Sequence, residues 1–208
     1  MPDQRRWDAL CQRLRADANI ESGYRQLVCY YSEGHRAYHN LTHVDDCLTQ
    51  YDSARHLADS PDQLEFAIWC HDVIYDTHAS DNESQSSQWA KSVLYGAGVT
   101  KQIVDGVVEL ILATEHRTQP SSPDASLMVD IDLSILGGPS AEYDQYAQAI
   151  REEYAWVPKE AYAQGRISVL KSFLDRAAIY FTDHFQRQFE QTARGNLQRE
   201  LGILRRTT

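Results

Sequence analysis

The chain has 208 residues, 42% hydrophobic and 24% charged, with a formal net charge of −10 at pH 7. Such a length and composition suit one globular domain with a core of its own and exclude a largely disordered chain. The acidic balance, with Lys and Arg scattered rather than striped, speaks against nucleic acid and anionic membrane as partners, although a metal ion and a few local Arg would still let a small anion bind.

Helical periodicity runs through the sequence, and no stretch alternates strictly between apolar and polar residues, so the fold class is all-α. The first helix is expected from Asp3 to Ala16, with Trp7, Leu10, Cys11 and Leu14 on one face. A second runs from Ile20 to Glu33, and a third from the Asn40 cap to Ala58. The fourth opens on Ser60, Pro61 and Gln63, a capping box with Pro in the first turn, and extends to Tyr75. Ser80 and Glu83 make a second capping-box pattern before a helix that ends near Gly96 or Gly98, and Thr100 caps the next, which reaches Thr114. Residues 118–125, with Pro120 and Pro123, read as a loop. A short apolar helix from Ser126 to Leu136 stops at Gly137, Gly138 and Pro139. Helices follow over Ala141–Ala155, Lys159–Ala177 and Asp183–Leu204. The organisation expected is one domain over 1–208, its core at about 20–140 and helices 141–208 packed on it. The N-terminal residues lack an apolar signal core and no run approaches the roughly 20 apolar residues of a membrane span. The four Cys form no CxxC pair, and a reducing, cytoplasmic setting is the default.

Three places put His or Asp where a soluble helix does not ordinarily want them. His71 shares a helical face with Leu64, Ala67, Ile68 and Tyr75 and points inward, with Asp72 one position round. Buried alone, a carboxylate such as Asp72 is costly. In the apolar run 127–136, Asp132 falls on the driest face, with Met128, Val129, Ile135 and Leu136, and Asp130 on the wetter face of Ser126 and Ser134. An ion would relieve the cost of burying Asp132; the alternative is an Arg partner or a capping role. In Tyr38-His39-Asn40-Leu41-Thr42-His43-Val44, Asn40 reads as an N-cap, His43 lies in the first turn, and His39 precedes the helix. Together His43, His71, Asp72 and Asp132 supply two imidazoles and two carboxylates. That set suits Mn, Mg, Ni, Co, Fe or Zn and leaves two positions of an octahedral ion for water and a phosphoryl oxygen.

The order His43, then His71-Asp72, then Asp132 resembles the HD superfamily of metal-dependent phosphohydrolases, over about residues 38–138. Tyr38-His39-Asn40-Leu41-Thr42-His43 is similar to the YHNxxH segment of the cyclic-nucleotide phosphodiesterases, and Asp132-Leu133-Ser134 to the segment carrying their last metal ligand. The phosphodiesterase pattern has a further His four residues after that of the HD pair, where this chain has Tyr75. In length the chain looks more like the small, stand-alone bacterial HD proteins. The resemblance implies an HD-domain-like helical bundle, a divalent metal ion held by His43, His71, Asp72 and Asp132, and His39 as proton donor to the leaving oxygen.

Other candidates surround that set. Glu83 is read either as a base acting on the attacking water, with Asp72, or as the cap of its own helix. Arg36, His116 and Arg117 are candidate substrate contacts, Arg36 as a bidentate phosphate clamp, each set against a plain surface or helix-end role. Arg166 and Lys171 are further possible phosphate contacts. The expected activity is hydrolysis of a phosphoester or phosphoanhydride in a small, nucleotide-like substrate. The alternatives are a di-iron HD oxygenase, in which His39 and His116 add ligands, and a non-catalytic nucleotide-sensing module.

Overall fold

The computed structural model describes residues 3–17 and 20–207. Among these the chain forms ten α-helices and two 3-10 turns, with no strand. No described helix is long and apolar enough to cross a membrane. Two compact units meet in the chain between Asp132 and Leu133.

The first unit, Met1–Asp132, contains α1 (Gln4–Arg13), α2 (Ile20–Tyr31), α3 (Leu41–Ala54) with a 3-10 turn over Arg55–Leu57, α4 (Pro61–Cys70), α5 (Asn82–Gly96), α6 (Lys101–Ala113) and α7 (Pro123–Asp132). Helix α4 is its axis: every residue from Leu64 to Cys70 is buried, and α1, α3, α5, α6 and α7 all pack against it. A helix apolar almost all round has to be enclosed in this way. Trp7 of α1 lies 5.0 Å from Phe66 and 5.5 Å from Trp69, ring centre to ring centre, in tilted and edge-on contacts. At about 25 cal/mol per Å² of apolar surface removed from water, side chains of this size give the unit a core of its own, independent of any ion. The one carboxylate in the buried run, Glu65, is paired on both oxygens, with Arg6 Nε at 2.7 Å and Arg13 Nη2 at 2.6 Å.

The second unit holds the 3-10 turn Leu133–Gly137, α8 (Ser140–Glu153), α9 (Lys159–Leu174) and α10 (Asp183–Thr207). Helix α10 packs closely on that turn: a Cβ on Gly137 would meet the Phe189 Cβ at 2.4 Å, so only glycine fits there. Asn196 of α10 donates to the carbonyls of Leu136 and Gly138, both at 2.9 Å, satisfying the turn's buried acceptors. Arg166, proposed for phosphate, is instead buried and doubly bonded to Glu200 at 2.9 and 3.0 Å.

Several expected boundaries move, four of them with a bearing on packing or on the site, and one expected cap does not form. Ser60 stands at the N-cap of α4 without a side-chain cap bond. The Asp124 carboxylate of α7 instead holds the chain just ahead of the helix, accepting from the amides of Asp59 and Ser60, both at 2.8 Å. Helix α7 starts at Pro123, three residues before the expected start, because Pro suits the first helical turn and Ser122 Oγ accepts from the Ala125 amide at 3.2 Å. It also stops at Asp132 instead of Leu136, giving way to the 3-10 turn. Helix α5 opens one residue later than its capping box requires, with Asp81 as N-cap and Glu83 inside the first turn, so the Ser80–Glu83 box does not form. The fourth change, the early end of α4, shapes the site and is described below.

The Asp124 contact gives a direct test. Asp124→Ala should lower the unfolding free energy by about 1–2 kcal/mol, the cost of leaving two backbone amides without their charged acceptor. Ser60→Ala should stay within about 0.5 kcal/mol of the parent. Urea titration of both variants compares the two assignments; equal losses would return the cap to Ser60.

Candidate metal centre

Helix α4 ends at Cys70, with His71 as its C-cap, rather than running to Tyr75. The last carbonyls of a helix and those of the turn that leaves it need partners, and here three side chains from elsewhere in the chain supply them at and beyond the end of α4. Tyr31 OH donates to the Trp69 carbonyl at 3.1 Å. Arg36 Nη1 donates to the Asp72 carbonyl at 2.6 Å and Nη2 to that of Val73 at 2.9 Å. Ser86 Oγ donates to the Ile74 carbonyl at 3.2 Å. The chain can therefore turn sharply after His71, and the Asp72 carboxylate swings to the same side as the imidazole, with Oδ2 3.2 Å from His71 Nε2.

His43 reaches the same point from α3. Asn40 caps that helix as expected, its Oδ1 accepting from the Thr42 amide at 2.8 Å, and His43 follows in the first turn. Its Nε2 lies 3.1 Å from His71 Nε2 and 3.7 Å from Asp72 Oδ2. Asp132, the last residue of α7, closes the set, with Oδ1 3.3 Å from His43 Nε2 and 3.4 Å from His71 Nε2. The two His are buried, while the Asp72 and Asp132 side chains are 14% and 15% exposed, so the carboxylates form the side of the cluster that solvent reaches.

These spacings suit an ion. Ligands about 2.1 Å from a first-row metal stand about 3.0 Å apart at an octahedral edge and about 3.4 Å at a tetrahedral one. Protonation agrees. His71 Nδ1 donates to the Ile68 carbonyl at 2.9 Å, which fixes the tautomer and leaves the Nε2 lone pair facing His43. Two imidazole lone pairs at this distance repel unless a proton or a cation stands between them. Burial lowers the His71 pKa, but Asp72 and Asp132 outweigh it and raise it well above its usual value. Burial likewise raises both carboxylates, and the imidazoles overcome it, His71 foremost for Asp72 and His116 foremost for Asp132, so both end below their ordinary range.

A donor absent from the expected set also stands at the cluster. Cys47, one turn after His43 on α3, places its Sγ 3.8 Å from each ring nitrogen of His43. His43, Cys47, His71 and Asp132 offer ligand atoms all within 4.8 Å of one another and could hold a metal ion. Sequence reading placed Cys47 on the inner apolar face, and the signal for more was its spacing of four from His43. Burial pushes its thiol pKa well up, and the Asp132 and Asp72 carboxylates push it further. An ion bound there would itself displace the thiol proton, so Cys47 stands beside Asp72 as an alternative fourth donor.

The remaining candidates divide. The His39 ring stacks on Tyr75 at 4.1 Å and stands 5.9 Å from that of His43, centre to centre, and its charge reaches Asp72. Glu83 is half-buried; burial raises its pKa, and Asp72 and Glu115 raise it further, which places it in the electrostatic neighbourhood of the centre now that its capping role is gone. His116 Nε2 donates to Asp132 Oδ2 at 3.1 Å. The Arg117 side chain is 63% exposed and donates to the Ser80 carbonyl at 3.0 Å. Arg36 is a correction. Its side chain is fully buried, its Nη groups bind the carbonyls of His39, Asp72 and Val73, and its Nε binds Glu33. It builds the turn that carries Asp72 and is not placed to clamp a phosphate. Asp130 corrects the assignment of faces: it is wholly buried, while Asp132 sits at the partly exposed end of α7.

Compared with protein-family models, with curated proteins and with solved structures, the chain matches none.

Arg36→Ala should destabilise the metal-free protein by about 3 kcal/mol, since buried carbonyls lose their donors. Arg36→Lys should recover little, because one ammonium cannot span the carbonyls that a planar guanidinium reaches. Urea unfolding of both variants, stripped of metal, checks this; stability equal to the parent would restore a surface role to Arg36.

Proposed function

We propose that this chain is a divalent-metal-dependent phosphohydrolase of the HD type, acting on a small phosphorylated, nucleotide-like substrate. The observation that carries the reading is the convergence of His43, His71, Asp72 and Asp132, nitrogen and oxygen donors without an obligatory thiolate, on a point with a solvent-reached side. A divalent ion bound there would polarise a phosphoryl oxygen and assist in activating water.

The chain's own groups supply the rest. His39 stands beside the donor group with its ring stacked on Tyr75, and in this reading it is the proton donor to the leaving oxygen. Glu83, its pKa raised by burial, is the acceptor for a proton from the attacking water. One divalent cation with two carboxylates is formally neutral, so a phosphate also needs positive charge from the protein, and Arg117 provides it from the turn after α6. A second reading, a di-iron oxygenase, draws on the approach of His116 to Asp132; iron content and oxygen consumption separate it from hydrolysis.

A metal-replete screen of nucleotides, cyclic nucleotides, diphosphates and generic phosphoesters should find turnover, and three variants then test the roles. His39→Ala should lower the rate by about 10²–10⁴-fold with metal content unchanged. His43→Ala and Asp72→Ala should lose both metal and rate. If His39→Ala empties the site as His43→Ala does, His39 is a ligand; if all three keep full activity, the hydrolytic reading of this site is wrong.

A further inference from the structure

We propose that His116 is a positioning residue, whose Nε2 engages one oxygen of Asp132 and so restricts that carboxylate to a one-oxygen hold on the ion, keeping a coordination position open. The inference rests on the metal-centre reading above and adds to it the device that sets the number of open positions.

The two oxygens of Asp132 have different partners. Oδ1 faces the two imidazoles, at 3.3 and 3.4 Å from His43 and His71 Nε2. Oδ2 faces His116 Nε2 at 3.1 Å. An ionised carboxylate only accepts, so His116 is the donor in that contact and carries its proton on Nε2. A carboxylate with both oxygens available can close on a metal through both and consume a position that substrate or water needs. With Oδ2 engaged, Asp132 is confined to Oδ1.

The backbone gives a second, independent observation. Helix α6 ends with Thr114 as C-cap, its hydroxyl donating to the Ile111 carbonyl at 2.7 Å. The chain then enters the left-handed region at His116, with φ of 55°. Helices that end in this conformation ordinarily place glycine there, because a Cβ is unfavourable. A histidine in that position brings the imidazole to Asp132, which glycine could not do, and backbone strain of this kind gathers at functional sites. The turn is also tied to the approach to α5, since the next residue, Arg117, donates to the Ser80 carbonyl at 3.0 Å. His116 therefore reaches the last ligand of α7 from a turn anchored on both sides.

Glycine and glutamine at this position separate the functional contact from a structural one. His116→Gly relaxes the backbone and removes the donor; His116→Gln keeps a donor on a long side chain. Each is titrated with Co(II), following affinity and the visible cobalt spectrum, beside thermal unfolding of the metal-free forms. His116→Gly should unfold at the same temperature as the parent or higher, bind cobalt about 10–100-fold more weakly, and shift the cobalt spectrum as Asp132 closes with both oxygens. His116→Gln should recover most of the affinity and the parent spectrum. If His116→Gly fails to fold, His116→Asn, which tolerates the left-handed backbone but has a shorter side chain, is expected to show the same loss. Parent-like affinity and spectrum in the Gly variant overturn the proposal. Two cobalt ions per chain in the parent and one in the variant also overturn it, by making His116 a ligand. A parent chain that takes up no cobalt removes the metal centre itself, and the proposal with it.

Discussion

Two buried imidazole nitrogens face each other 3.1 Å apart, with ionised carboxylates on either side, and the other features of the centre follow from that pair. One imidazole can donate to the other across that contact, and the two carboxylates raise the His71 pKa; a divalent ion would instead engage the imidazoles and the carboxylates together. Had the pair been a packing detail, a single hydrogen bond between one imidazole and one carboxylate would satisfy both groups. Here two histidines and two aspartates converge instead, and the Ile68 carbonyl fixes the tautomer that turns the His71 lone pair inward.

The fold brings these groups together through the ends of helices rather than their middles. His43 lies in the first turn of α3, His71 caps the end of α4, Asp72 follows in the turn, and Asp132 is the last residue of α7. Helix ends carry backbone groups that need outside partners, and here those partners also aim the ligands: Arg36, Tyr31 and Ser86 satisfy the carbonyls at and beyond the end of α4, while Asn40 caps the start of α3. The aromatic core around Trp7, Phe66 and Trp69 supports α4 independently of the site. The cluster is thus assembled on rigid elements, with its two carboxylates toward solvent.

The helices themselves were legible in the sequence because apolar residues recur at helical spacing and the described prolines fall at helix starts or between helices. His43, His71, Asp72 and Asp132 stood out because each is a polar group in an apolar stretch. What the sequence concealed were interactions made across the fold. The buried guanidinium of Arg36 is set by carbonyls some 36 positions further on, so it read as a turn residue with a free charge. The amides leading into α4 are held by Asp124, 64 residues further on, where local pattern pointed only to Ser60. The exposure of Asp130 and Asp132 was inverted because α7 ends at Asp132, and a helical wheel drawn past that point no longer describes the chain. Cys47 was hidden for a different reason: burial accounts for a cysteine at that position without any reference to the imidazole it touches.

The central claim, that two imidazoles and two carboxylates hold one divalent ion, is tested most directly by X-ray absorption on the protein loaded with zinc or cobalt, read together with metal stoichiometry. The account predicts one ion per chain, a nitrogen and oxygen shell at about 2.0–2.2 Å, and the outer-shell signature of two imidazole rings. A sulfur neighbour at about 2.3 Å would put the Cys47 thiolate in place of a carboxylate, and a chain that retains no ion would contradict the account outright.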